Sequence, residues 1–276
     1  MKTEELNEEF VKAYLEGNFN LASILLKHGA NANALLENKY KALIWAFRHG
    51  RIETAKLLID AGADVNATDE DGWTALRWAS KNGNTEAVKP LIEKGADVNA
   101  ASAFGETSLM SASRNGDIEI AKLLIDKGAN VNATKKGGFT ALMSVSSNGH
   151  TEIAKLLIDA GADVNFVDED GWTALMFASK NGNTEAVKLL IEKGADVNAV
   201  DEDGWTVLMF ASIHNKTETV KLLIDKGANV NAVNKKGDSV LLQKFKDIVD
   251  EDCYIYDQCI TYIDIIKLLI KAGAEA

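Results

Sequence analysis

Proline and cysteine are nearly absent from this chain of 276 residues, which holds one proline, Pro90, and two cysteines, Cys253 and Cys259. With a single proline, helices dominate and few turns depend on a fixed φ. Two cysteines make no disulfide framework, and an intracellular compartment keeps both as free thiols. The four histidines (His28, His49, His150, His214) are scattered, so no His/Cys cluster has the spacing of a zinc site. Basic residues are in deficit, 30 Lys and Arg against 41 Asp and Glu. The net charge of −11 repels a phosphate backbone, which excludes nucleic acid as the expected partner and points to a basic protein instead. No apolar run reaches the ~18–20 residues of a membrane-spanning helix. The acidic, polar stretch Met1–Phe10 lacks the basic flank and apolar core of a secretory signal, so a cytoplasmic location is expected. What is plentiful is apolar side chain, 46% of the chain, enough for a large core.

Periodicity dominates the rest. The pair Gly-Ala recurs at 29, 62, 95, 128, 161, 194 and 227, each step 33 residues, and again at 273 after a step of 46. Eight units follow at 3–35, 36–68, 69–101, 102–134, 135–167, 168–200, 201–233 and 234–276, the last with 13 extra residues. They form one expected domain over 1–276, with the first and last units as caps. Units 69–101 and 168–200 differ only at Arg77/Met176, Trp78/Phe177, Pro90/Leu189 and Ala101/Val200.

Unit 168–200 reads as turn, helix, turn, helix, loop. Asp168-Glu169-Asp170-Gly171 has turn chemistry. Thr173 caps a short inner helix that Gly182 ends in the left-handed conformation. Thr184 is expected to cap the outer helix, whose Ala186, Val187, Leu189, Leu190 and Ile191 give an apolar stripe. Asn215 stands where seven-fold phase otherwise puts glycine, and it is the other residue that tolerates that conformation. Pro90 falls inside an outer helix and predicts a kink.

These residues resemble the ankyrin repeat family. Its Gly-x-Thr-Pro-Leu-His motif appears as Gly72-Trp73-Thr74-Ala75-Leu76-Arg77, Gly138-Phe139-Thr140-Ala141-Leu142-Met143 and Gly204-Trp205-Thr206-Val207-Leu208-Met209, and its Gly-Ala-Asp-Val-Asn-Ala stands intact at 62–67, 95–100 and 194–199. The resemblance implies an all-α ankyrin-repeat solenoid of helix-turn-helix units with short hairpin-like loops. It also implies a non-catalytic protein-binding module that uses its concave face. The family's motif histidine is Ile44, Arg77, Met110, Met143, Met176 or Met209 here, so the network it makes with threonine is expected to be weaker, with methionine packing in its place.

Catalytic and cofactor chemistry finds little support. Asp168-x-Asp170-Gly171 and Asp201-x-Asp203-Gly204 look like part of a calcium loop, but the places that need acids hold Phe166 and Phe177, or Ala199 and Phe210. No nucleophile–base arrangement or phosphate loop emerges, and no cofactor or metal is expected. Candidate contact residues follow from two columns that hold all five tryptophans. Turn position 5 carries Trp73, Phe139, Trp172 and Trp205, and inner-helix position 10 carries Trp45, Trp78, Phe177 and Phe210. Such aromatics either anchor a partner or cover the neighbouring repeat. Around them stand Asp168, Glu169, Asp170, Asp201, Glu202 and Asp203, flanked by Lys135, Lys136, Lys235 and Lys236. Tyr254, Tyr256 and Tyr262 near the end either close the last unit or add a second contact surface. The expected function is a monomeric adaptor that binds a protein. An inhibitor or immunity-type protein occluding a basic enzyme site, and a designed consensus-like scaffold, remain alternatives.

Overall fold

The computed structural model describes residues 3–36, 41–250 and 256–275, with side chains described outside 247–250 and 256–260. The chain gathers into two compact units, Met1–Asn130 and Val131–Ala276.

In the first unit, helices α1 (Thr3–Leu15) and α2 (Phe19–Lys27) form the opening hairpin. It is followed by α3 (Ala42–Arg48) with α4 (Ile52–Asp60), α5 (Ala75–Lys81) with α6 (Thr85–Glu93), and α7 (Ser108–Asn115) with α8 (Ile118–Asp126). Inner helices α3, α5 and α7 pack in sequence, and so do outer helices α2, α4, α6 and α8. The second unit repeats the scheme after a hairpin of two-residue strands, β1 (Thr134–Lys135) paired antiparallel with β2 (Phe139–Thr140). Its helices are α9 (Ala141–Asn148), α10 (Thr151–Asp159), α11 (Ala174–Asn181), α12 (Thr184–Glu192), α13 (Val207–Ile213), α14 (Thr217–Asp225), α15 (Val240–Asp250) and α16 (Tyr256–Lys271). The expected all-α helix-turn-helix stack is therefore found in both units.

Local chemistry accounts for each hairpin. The Thr173 hydroxyl accepts the Met176 N–H at 3.3 Å, and Gly182 closes α11 at φ +75°. Asn215 does reach φ +58°, the one non-glycine among the described residues to do so. Methionine does more than pack: the Sδ atoms of Met143, Met176 and Met209 each accept the N–H of their capping threonine at 3.5 Å. Thr184, by contrast, is not a cap. It is the first residue of α12, and the cap position is Asn183. The Asn183 side chain donates instead to the carbonyls of Ser146 and Ser147 at 2.8 Å, because reaching back to the preceding repeat satisfies two helix-end acceptors at once.

Neighbouring repeats are also tied by an asparagine ladder. Asn165 donates to the Gly194 carbonyl at 3.0 Å and accepts the Asp196 N–H at 2.9 Å, and Asn66, Asn99, Asn132, Asn198 and Asn231 take corresponding partners one repeat on. The apolar stripe does the rest: Ala186, Val187 and Leu190 are fully buried, as are Leu175 and Met176 across from them. The helix at Pro90 runs uninterrupted from Thr85 to Glu93, the same nine residues' length as its twin α12.

Candidate functional site

The hairpin tips of the second unit stack through one backbone bond per repeat. Glu169 N–H donates to Gly137 O at 3.0 Å, Glu202 to Asp170 O at 3.1 Å, and Lys235 to Asp203 O at 2.9 Å. The stacking explains one glycine sharply. Gly171 sits at φ +79°, and a Cβ there would lie 2.9 Å from the Glu202 nitrogen. Each tip is closed by its first acid: the Asp168 carboxylate accepts the N–H groups of Asp170 and Trp172 at 3.1 and 2.8 Å, and Asp201 does the same for Asp203 and Trp205 at 3.0 and 2.8 Å. The half-calcium motif is thus a turn device. Among the described residues no group of three or more His, Cys, Asp or Glu is arranged to hold a metal.

This stacking brings the predicted residues of the second unit together. A run of touching rings crosses the unit: Phe139 to Phe177 at 5.1 Å between centroids, Phe177 to Trp172 at 4.9 Å, Trp172 to Phe210 at 4.2 Å, and Phe210 to Trp205 at 5.6 Å. Phe210 is buried as the floor, while Phe139, Trp172 and Trp205 are half-buried and keep a face or edge in solvent. Above the floor lies a hollow of about 380 Å³ lined by Asp170, Trp172, Asp201, Glu202, Asp203, Trp205, Phe210, Ile213 and His214. Glu169, Asp170, Glu202 and Asp203 are exposed. Burial pushes the Asp168 carboxyl above its ordinary range, against the two N–H groups it accepts, and the Asp170 and Glu169 charges add to the rise. Burial lowers His214, and the charges of Lys180, Lys216 and Lys244 lower it further.

Trp73 and Trp78 belong to the first unit and face a different environment. Their rings meet at 4.4 Å, Trp78 donates its indole N–H to Asp69 at 3.3 Å, and the buried Arg77 guanidinium lies on Trp73. Arg77 takes the motif histidine's place but not its bonding, pairing with Glu106, which also pairs with Arg114. Sequence reasoning missed the wall formed by Ile213 and His214 and the ammonium of Lys180, 5.1 Å from the Trp172 ring. A comparison of position 13 across repeats (Lys81, Lys180, Ile213) carries that signal. Tyr40, which holds turn position 5 in unit 36–68, lies outside the described residues, as do Cys253 and Tyr254. A larger hollow of about 490 Å³ along α1, lined by Asn7, Glu8, Val11, Lys12, Leu15 and Glu16, contains no ring. Tyr262 is buried, with the Lys244 ammonium 4.0 Å from its ring, so this tyrosine closes the last repeat.

A family model described as ankyrin repeats (3 copies) matches residues 10–102, 66–135, 99–168 and 142–234. The chain belongs to the ankyrin repeat family. Its structure is similar to the crystal structure of the human ASB11 ankyrin repeat domain, with a TM-score of 0.71 and 24% identity over 85% of this chain and 98% of that one. No curated protein sequence matches. Ankyrin repeats are generally protein–protein interaction modules, and 613 solved chains match this structure, so the fold alone selects no partner.

Proposed function

We propose that this chain is a non-catalytic adaptor that binds a basic protein segment through the hairpin tips and inner helices of repeats 168–200 and 201–233. One observation carries the reading: Trp172, Phe210 and Trp205 of the ring run border one hollow together with Asp170 of one acidic tip and Asp201, Glu202 and Asp203 of the next. Half-buried tryptophans supply large contact area with little side-chain entropy to lose, which is what interface anchors need. The exposed carboxylates around them attract a basic segment over a Debye length and orient it before contact.

The test compares proteins captured from source-cell extract by the full chain and by two double variants. Trp172→Ala with Trp205→Ala should lose the specific partner, a weakening of about 2 kcal/mol or more through faster dissociation. Lys155→Ala with Lys188→Ala, on exposed outer-helix positions, should retain it. With the captured partner in hand, Glu169→Lys and Glu202→Lys should slow association and flatten its salt dependence. Retention by the tryptophan variant together with loss by the lysine variant refutes the assignment, provided circular dichroism shows both folded.

A further inference from the structure

The tip Asp69-Glu70-Asp71-Gly72-Trp73-Thr74 is identical to Asp201-Glu202-Asp203-Gly204-Trp205-Thr206, yet the two tryptophans meet different neighbours. At Trp73 the chain supplies its own cations. Arg77, 1% exposed, holds its guanidinium carbon 3.3 Å from the ring centroid while pairing with Glu106. Lys81 places its ammonium 4.6 Å from the same ring and 5.0 Å from Trp78. At Trp172 only the lysine persists, as Lys180. At Trp205 neither does: Met209 and Ile213 occupy those two positions, and among the described residues no cation lies over that ring. The acids remain, and Asp170, Asp201, Glu202 and Asp203 line the hollow beside Trp205.

We infer that the hollow beside Trp205 takes one arginine side chain from a protein partner, its guanidinium stacked on the indole as Arg77 stacks on Trp73. The inference rests on the protein-binding reading and deepens it. A guanidinium is planar and weakly hydrated, so it stacks on an indole while its N–H fork reaches carboxylates, and a lysine ammonium offers only a point charge. The third repeat uses that combination within the chain, with a ring below and a carboxylate beside. The hollow of about 380 Å³ admits the side chain together with its adjoining backbone.

The full chain, labelled with fluorotryptophan and assigned by single Trp→Phe changes, is titrated with acetyl-Gly-Arg-Gly-amide and followed by fluorine NMR. Identical peptides carrying lysine or citrulline, the latter having arginine's shape without its charge, serve as comparisons. The Trp205 resonance should shift saturably with arginine, about tenfold more weakly with citrulline, with lysine in between. Trp73 should stay still because Arg77 already covers it. Met209→Arg should abolish the titration by supplying the guanidinium from α13, with Asp238, which pairs with Lys246 as Glu106 pairs with Arg114, standing where Glu106 stands for Arg77. Tolerance of Arg77 at the same position predicts that this variant folds, and its melting curve checks that. The inference is overturned if no peptide moves Trp205, if citrulline matches arginine, if Trp73 responds equally, or if Met209→Arg titrates like the parent. Partner capture that depends on Trp172 and Trp205, with no arginine response, would remove the arginine slot and leave the binding reading standing.

Discussion

Asp168 holds its hairpin tip closed with one carboxylate oxygen that accepts two backbone N–H groups. Asn234 performs the same closure two repeats later, accepting from Lys236 and Asp238 at 2.9 and 3.0 Å without carrying a charge. The amide is therefore sufficient for the turn, and the charge of Asp168 serves the surface. Burial raises the Asp168 pKa, with the charges of Asp170 and Glu169 adding to it. The folded state then binds more protons than the unfolded state across the carboxylate range. The Asp168 contribution to stability is greatest at low pH and is lost as pH rises through the folded pKa. Asp168→Asn should thus match or exceed the parent in urea midpoint at neutral pH, and the difference should shrink as pH falls below the carboxylate range. Asp168→Ala, which removes the acceptor, should cost about 1 kcal/mol. An asparagine variant as unstable as the alanine one would show that the charge, not the acceptor, holds the turn.

At the scale of the element, Pro90 sets a clean comparison, since α6 and α12 differ within the helix only there. Proline has no N–H to offer the Glu86 carbonyl four residues back, and its ring crowds that turn. Helical geometry nevertheless persists to Glu93, where Lys94 N–H donates to the Pro90 carbonyl at 3.0 Å. Ala87, Val88 and Leu91 are fully buried on the neighbouring helices, and that packing holds a backbone the proline disfavours. Pro90→Leu should raise stability by about 1–3 kcal/mol, read from the denaturant midpoint at unchanged slope. An unmoved midpoint would mean the lost bond has already been replaced. The outer-helix charges follow the same lesson about neighbours: Asp159 pairs with Lys193 of the next repeat at 2.6 Å rather than with its own Lys155.

Across the molecule, stability accumulates repeat by repeat, so each end needs a different surface from the middle. At the start, Phe10 and Tyr14 of α1 are fully buried while Glu4, Glu5, Glu8 and Glu9 on the same helix keep to solvent. At the end, α15 packs on α13 and α16 on α14, burying Val240, Leu241, Tyr262, Ile265 and Leu269. Each such side chain is worth about 1.5–3 kcal/mol when fully buried. Deleting 234–276 uncovers α13 and α14, and size-exclusion chromatography with thermal melting should show association or a lowered, broadened transition. A truncated chain that stays monomeric and melts as before would contradict the capping role.

The repeat is legible in the order of residues alone. The spacing of Gly-Ala, the threonine before each of α5, α7, α9, α11 and α13 and the glycine, or Asn215, after them act within one turn of chain, so they read directly as helix starts and stops. The two aromatic columns and the acidic tips were legible for the same reason, because a strict period assigns each residue its place in the hairpin. The tertiary structure decided what depends on the next repeat. It tied Asn183 to Ser146 and Ser147, aimed the asparagine ladder across the loops, and joined Phe139, Phe177, Trp172, Phe210 and Trp205 into one run. It also placed Arg77 on Trp73, a contact with no counterpart from Met209 at Trp205. Those contacts join residues that the period makes equivalent but whose packing differs, since whether a cation covers an indole depends on the atoms surrounding it in space.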